Sequence, residues 1–417
     1  MQTFYYKNNS LSIEQVSIVD IAKAIDTPFY CYSQTHVENA YDSYLDNLSS
    51  LDASICYAVK ANSNQAIIKT LADKGCGADV VSEGELQRAL AAGIPAEKIV
   101  FSGVAKTEKE MAYALSKDIF QFNIESENEL HRLNQVALRL NTKARIAFRI
   151  NPDVDAKTHA KISTGKSENK FGIPISKAEY IYQEASQLAG IEIQGIDVHI
   201  GSQLTCLKPF REAFAKIKAV VNSLNKTGIK IKVIDVGGGL GVEYQQDNDN
   251  ISIRDYCKML EQEFADCACK IVLEPGRSMV ANSGLLVSKV IYKKQGQQSI
   301  FLIIDAAMND LLRPSMYDAH HEILPVRQCS EREVYDVVGP VCETGDTFAR
   351  NREMSMVEED QLVAIASAGA YGAVMSSTYN SRLQIPEVLV NQNTFHVIKP
   401  RGSYQSMIEL DSLAPWQ

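Results

Sequence analysis

Residues Ile55–Ala92 read ICYAVKANSNQAIIKTLADKGCGADVVSEGELQRALAA, and this stretch decides the fold. It opens with the β-branched and aromatic run Ile55–Val59, which predicts a buried strand. Asn64–Lys74 follows with Ile67 and Leu71 four residues apart, the spacing of one helix face, and Gly75 stops it. A second strand, Ala78–Val81, and a second helix, Glu83–Ala92, repeat the pattern. Leu86 and Leu90 share a face of that helix, and Gly93 closes it. Strands that alternate with helices in this way run parallel, because only a crossover can return the chain to the same end of a sheet.

The rhythm continues to Arg277. Strand-like runs recur at Ile99–Phe101, Phe120–Ile124, Arg145–Ile150, Ile193–His199, Ile231–Val236 and Lys270–Leu273. Helical periods lie between them at Glu108–Ser116, Glu127–Leu140, Lys177–Leu188, Pro209–Lys226 and Ile253–Phe264. Eight such units predict a closed (β/α)8 TIM barrel. Beyond Arg277 the helical periods mostly vanish. Leu285–Tyr292, Ile300–Asp305, Glu333–Gly339, Gln361–Ala366 and Thr394–Lys399 read as strands between turns. The expected division is a barrel over residues 27–280 and an antiparallel β-sandwich or β-barrel domain over 281–417, joined by the N-terminal segment 1–26. Asp153–Asn169 and Asn309–Leu324 are long for loops, which marks them as functional or mobile.

Composition narrows the function. The chain has 417 residues, of which 45% are hydrophobic and 22% charged, so it folds around a substantial core. A net charge of −9 argues against nucleic-acid binding. The longest apolar runs fall short of a membrane span, and the first nine residues lack a signal-peptide pattern. The nine cysteines form no C-x-x-C pair, which points away from a zinc ribbon or thioredoxin motif, and a chain this long with a sizeable core needs no disulfide scaffold, so a reduced, cytoplasmic protein is expected.

Unusual residues gather just after the strands, at the barrel end where active sites are built. Lys60 follows strand one, His199-Ile200-Gly201-Ser202 strand six, Gly237-Gly238-Gly239 strand seven, and Glu274-Pro275-Gly276-Arg277 strand eight. A lysine desolvated in a barrel mouth is a nucleophilic amine. A glycine run can close its backbone N–H groups on a phosphate. Val242 stands where the dinucleotide fingerprint needs a third glycine, and no nucleotide P-loop occurs. Arg277 can clamp an anion with two parallel bonds. His320-His321 and Asp266-Cys267-Ala268-Cys269 lack partners at ligand spacing, so no metal is expected. Read one at a time, Lys60 is a solvent-facing lysine, Gly237–Gly239 a tight turn, and Cys342 a buried small hydrophobe.

Read in order, Tyr57-Ala58-Val59-Lys60-Ala61-Asn62, His199–Gln203, Gly237–Gly239, Glu274–Arg277, Cys342-Glu343-Thr344-Gly345-Asp346 and Gly369-Ala370-Tyr371-Gly372 form one set. It resembles the alanine-racemase-like decarboxylases that depend on pyridoxal 5'-phosphate, over about residues 25 to 410. The resemblance implies that Lys60 carries the cofactor covalently, that His199 stacks on its ring, and that Glu274 bonds the ring nitrogen. Ser202, Gly238, Gly239, Gly276 and Arg277 would hold the phosphate, and Tyr371 would touch cofactor and substrate. Cys342 would protonate the carbanion after reaching the barrel of a second subunit in a homodimer.

The resemblance also bears on substrate. Arg313 and Tyr317, aided by Arg277, resemble a grip on a distal carboxylate, and Glu343 would bind the distal ammonium. That implies decarboxylation of meso-2,6-diaminopimelate to L-lysine and CO2, the last step of lysine biosynthesis. Thr344 stands where many relatives have serine, and both keep a hydroxyl. Two alternatives remain: a related decarboxylase acting on carboxynorspermidine, ornithine, arginine or a carrier-bound glutamyl group, and a non-catalytic cofactor-binding regulator.

Overall fold

In the computed structural model eight short parallel strands close into a ring. The structure describes residues 3–155, 165, 170–244 and 251–417. The ring strands are β1 (Ala53–Ala58), β2 (Gly77–Val80), β3 (Ile99–Phe101), β4 (Gln121–Ile124), β5 (Ala144–Asn151), β6 (Ile191–Asp197), β7 (Val233–Asp235) and β8 (Lys270–Leu273). Each pairs with the next, and β8 returns to β1 through Ile271–Leu273 against Ala53–Ile55. The expected TIM barrel is present, and each predicted strand lies within a few residues of its observed place.

Local chemistry starts the helices. Ser82, Thr107 and Ser126 each accept a hydrogen bond from the backbone N–H three residues on, at Glu85, Glu110 and Glu129. Each cap satisfies a donor that the first helical turn leaves open, worth about 1 kcal/mol. Ser82 and Ser126 stand two residues after the ends of β2 and β4, so little chain separates strand from helix there. Cys56, Val100, Val233 and Val272 form an apolar cluster within the ring. Asp79, Gln121, Asn123, Asp197 and Asp235 are also buried.

The chain divides into two units. One comprises Glu38–Glu243 and Asp247–Met279 and holds the barrel; the other comprises Met1–Val37 and Val280–Gln417, together with Tyr244. The barrel unit therefore begins at 38 rather than 27. The cause is Phe29–Ser33, which lies between Gly284–Gln295 and Glu387–Asn391 in the second unit's sheet. Its apolar core joins Phe29 and Cys31 to Leu285, Val287, Val388 and Val390. Most pairings of that sheet are antiparallel. Ile300–Ile304 with Arg332–Val338, and Phe29–Ser33 with Glu387–Asn391, are parallel, so the sheet is mixed.

The long segment Asn309–Leu324 is not structureless. It carries a short helix, Arg313–Tyr317, with Pro314 in its first turn, and runs into the strand Ile323–Pro325. Most of the loop Asp153–Asn169 lies outside the described residues. Among the described residues no helix is long and apolar enough to cross a membrane.

Candidate active site

β1 ends at Ala58 and gives way to a single tight turn, Val59–Ala61, which carries Lys60. The Lys60 amine sits 2.6 Å from Asp79 Oδ2, near the end of β2. Asp79 is fully buried, whereas the Lys60 side chain keeps 37% of its exposure. The amine is thus reachable while its charge is held against a carboxylate in a dry interior. Asp79 Oδ1 is buried with no hydrogen-bond partner among the described residues.

Glu274 follows β8 directly. Its Oε1 accepts from Ser102 Oγ at 3.3 Å and from Asn123 Nδ2 at 3.2 Å. Asn123 Nδ2 also reaches Asp235 Oδ2 at 3.3 Å. Asp197, Asp235 and Glu274 each place an oxygen within 4.8 Å of the others. Burial first, then the neighbouring carboxylates, pushes Glu274 and Asp197 well above the usual carboxyl range. Burial likewise raises Asp235 to about 7. Burial and the nearby carboxylates thus favour the protonated form of these groups.

Three loops approach so closely that their glycines leave no room for a Cβ. A Cβ on Gly238 would lie 2.3 Å from Glu274 O, and one on Gly239 would lie 2.4 Å from Gly201 O. Gly237 and Gly239 also have φ of +64° and +102°, which side-chain-bearing residues adopt at a cost. His199 Nδ1 accepts the Gly238 N–H at 3.2 Å, so its proton is on Nε2. Burial, then Arg149 and Lys60, holds His199 well below its ordinary value and keeps the ring neutral. Arg277 Nη2 donates to Ser202 Oγ at 3.0 Å. A Cβ on Gly276 would meet Ala58 and Ala61 at 3.0 and 3.1 Å, beside Lys60.

The barrel unit thus brings Lys60, His199, Ser202, Gly238, Gly239, Glu274, Gly276 and Arg277 to one end. This donor set fits pyridoxal phosphate: an accessible amine for an aldehyde, a buried carboxyl for a basic ring nitrogen, and a side-chain-free backbone cradle beside a serine and an arginine for a phosphate.

The second unit holds the other candidates. Arg313 begins its short helix, is 6% exposed, and donates through Nη1 to His321 Nε2 at 2.8 Å. Tyr317 ends the same helix. Cys342 and Glu343 are both exposed. Their loop is pinned by Asp346, whose two oxygens accept from Met308 N and Val341 N, each at 2.7 Å. Glu343 Oε2 accepts from Tyr379 Oη at 3.0 Å, and the Cys342 N–H reaches Asn380 Oδ1 at 3.4 Å. Tyr371 has φ of +55°, in a turn so tight that a Cβ on Gly372 would lie 2.8 Å from Tyr30 Oη.

Sequence reasoning missed Asp79, Asn123, Asp197 and Asp235. A signal existed: each acid interrupts an apolar strand run, as in Val233-Ile234-Asp235-Val236, where an unpaired charge is costly. Arg149 was also missed. It packs on the Phe171 ring at 4.9 Å and pairs with Glu125 at 3.1 Å.

Residues 34–281 match the pyridoxal binding domain of the pyridoxal-dependent decarboxylases. The diaminopimelate decarboxylase of Zymomonas mobilis is 47% identical, with all of both chains aligned. That of Pseudomonas aeruginosa is 45% identical over the whole of both chains. Among solved structures, the diaminopimelate decarboxylase of Helicobacter pylori complexed with L-lysine superposes with a TM-score of 0.91 at 42% identity, over 94% of this chain and 98% of that one. The enzyme of M. jannaschii in co-complex with L-lysine gives 0.95 at 36% identity, over 99% and 98%.

Proposed function

The chain belongs to the diaminopimelate decarboxylases, a branch of the pyridoxal-dependent decarboxylases, and we propose that Lys60 is the residue that carries its cofactor. The enzyme converts meso-2,6-diaminopimelate to L-lysine and CO2, the last step of lysine biosynthesis. Since the product is L-lysine, the D centre loses its carboxylate and the L centre passes through intact. Bound pyridoxal 5'-phosphate supplies an electron sink for the carbanion left when CO2 departs.

The chain's own residues do the rest. Glu274, buried among neighbouring carboxyls, would face the cofactor's basic ring nitrogen. His199, neutral and fixed by the Gly238 N–H, would pack on the ring. Ser202, Arg277 and the Gly237–Gly239 backbone would hold the phosphate. Arg313 and Tyr317, with Arg277 and Tyr371, orient the substrate by the carboxylate of its intact L centre, and Glu343 takes the ammonium there. That orientation sets the departing carboxylate in one geometry for reaction. Cys342 delivers the proton to the carbon that lost CO2; a neutral thiol suits this, since its ordinary pKa lies near 8.5.

A thiol that faces bulk water competes with solvent as the proton source, and Cys342 and Glu343 face solvent in the single chain. Met316, Val374 and Tyr379 are exposed in the same unit. A homodimer in which this surface closes the barrel of a second copy accounts for both facts. All nine cysteines are free, which suits a reducing cytoplasm.

The Lys60 amine on Asp79 beside the buried Glu274 cluster carries this reading. Product analysis with purified protein, pyridoxal phosphate and meso-diaminopimelate tests it. Faster CO2 release from carboxynorspermidine or ornithine would overturn the substrate, and no release from any amino acid would favour a regulator.

A further inference from the structure

His320-His321 has no part in the chemistry above, yet His321 is 1% exposed and bonded on both ring nitrogens. Nδ1 lies 2.8 Å from Ala366 O. A carbonyl only accepts, so Nδ1 carries the proton. Nε2 lies 2.8 Å from Arg313 Nη1. A guanidinium only donates, so Nε2 must offer its lone pair. Both contacts are met by one species, the neutral ring protonated at Nδ1. His321 is thus a fixed acceptor aimed at Arg313.

A second residue fixes the plane. The Tyr244 ring centroid lies 4.6 Å from Arg313 Cζ, so ring and guanidinium are in contact. Tyr244 also packs edge-on against the His321 ring, with centroids 5.3 Å apart and planes at 74°. The three side chains form one block: the bond that Arg313 donates to His321 restrains the fork, and the Tyr244 ring packs against it. The histidine is itself anchored. Arg352 Nη1 donates to His321 O at 3.0 Å, and Arg352 Nη2 lies 3.1 Å from His320 Nδ1. Ala366 N donates to Glu322 O at 2.8 Å, where Ile323–Pro325 begins its pairing with Leu362–Ile365.

We propose that His321 and Tyr244 are positioning residues for substrate specificity. They hold Arg313 so that its guanidinium meets, in a fixed orientation, the carboxylate on the substrate's intact L centre. This rests on the reading that Arg313 binds that carboxylate. An arginine that swings on a flexible stem pairs with many anions in many poses, whereas a locked fork accepts a planar carboxylate from one direction. The device separates a ligand with the distal carboxylate from the matching diamine without it.

The experiment uses the holoenzyme and two competitors of diaminopimelate turnover. L-lysine retains the distal carboxylate, and cadaverine (1,5-diaminopentane) lacks it. His321→Phe keeps ring volume but offers no acceptor. It should raise KM for diaminopimelate and the inhibition constant of L-lysine roughly 10-fold, leave kcat within about threefold, and leave the inhibition constant of cadaverine unchanged. His321→Gln, whose amide oxygen can accept from Arg313, should recover part of the loss. Tyr244→Leu should weaken L-lysine roughly threefold while Tyr244→Phe stays near wild type. The visible absorbance of bound cofactor reports that each variant is folded and loaded. Arg313→Ala separates the two levels of inference. If Arg313→Ala raises KM and the inhibition constant of L-lysine, but His321→Phe and Tyr244→Leu raise neither, the positioning role is overturned. Equal weakening of L-lysine and cadaverine overturns it too, since that marks a general packing defect. An unchanged KM in Arg313→Ala overturns the assignment of Arg313 itself. Should His321→Phe fail to load cofactor, an unchanged L-lysine constant in Tyr244→Leu refutes the proposal.

Discussion

Replacing Gly239 with alanine probes the backbone cradle directly, because two separable costs act there. The first is conformational: φ is +102°, where a side chain costs about 1–3 kcal/mol. The second is steric. The new Cβ would lie 2.4 Å from Gly201 O, a backbone atom that cannot swing aside. A separation of about 3.0 Å or more is needed, so one loop must move by roughly 0.6 Å. That shift strains two bonds that tie the loops after β6 and β7, Leu204 N to Gly239 O at 2.9 Å and Gly241 N to Leu204 O at 3.0 Å. Overpacking of this kind costs about 1–3 kcal/mol. Gly93 provides the control, with φ of +93° and nothing within 4 Å of an added Cβ. Gly93→Ala should show the conformational cost alone. The difference between the variants, about 1–3 kcal/mol, should appear as an apo-protein melting temperature lower in Gly239→Ala by roughly 2–12 °C at about 2–4 °C per kcal/mol. Cofactor titration followed by visible absorbance should show weakened pyridoxal phosphate binding in Gly239→Ala only. Equal melting temperatures for the two variants, with wild-type cofactor affinity in both, would refute the argument that loop contact shapes the phosphate cradle.

Other outcomes follow from the same geometry. Burial holds Asp235 at about 7, above its unfolded value of 3.8, so the folded apo-protein keeps a proton that the unfolded chain releases between about pH 4 and 7. This group's contribution therefore falls as pH rises through that window, and Asp235→Asn should flatten the apo-protein's loss of denaturation free energy between pH 5 and 7.5. Cys342→Ala should cut kcat by at least 100-fold with cofactor affinity within about threefold; equal losses in both would place the thiol in cofactor binding instead. Lys60→Ala should leave pyridoxal phosphate removable by dialysis, and retention through dialysis would argue against the covalent role. Sedimentation should find a dimer whose dilution removes activity, and a fully active monomer would contradict a site completed by a second copy.

The barrel was legible because its signal is local. Each unit announces itself within about 25 residues, through a strand run, a helical period and a stopping glycine such as Gly75 or Gly93. The barrel candidates Lys60, His199 and Glu274 stand out because each follows a strand end, whereas Cys342, Arg313, Tyr317 and Tyr371 drew their expected roles from the family resemblance alone. Phe29–Ser33 carried no comparable message. A short apolar strand reads the same whether it pairs with its neighbours or, as here, with Gly284–Val287 some 250 residues away. Its assignment moved the start of the barrel unit from 27 to 38. The parallel pairings of the second sheet escaped for the same reason: alternation identifies a strand and its faces, but not its direction.

The overlooked acids expose a different blind spot, since their meaning comes from convergence. Asp79, Asp197 and Asp235 lie on three strands, and each alone looks like a polar interruption. Ring closure brings them together with Glu274, and burial with the neighbouring carboxylates then raises the proton affinity of Glu274 and Asp197. The set is costly to the fold, and Lys60 offsets part of the cost through its 2.6 Å contact with Asp79. A barrel built only for stability would fill these positions with apolar side chains. Their presence makes sense if a cation belongs at this end of the barrel, and on the proposed role of Glu274 a protonated ring nitrogen would be such a cation. On this view Glu274→Gln should stabilise the apo-protein while weakening pyridoxal phosphate, two effects of opposite sign from one change. A purely structural glutamate would lose stability and leave the cofactor alone, so paired melting and titration curves of that variant decide between the two.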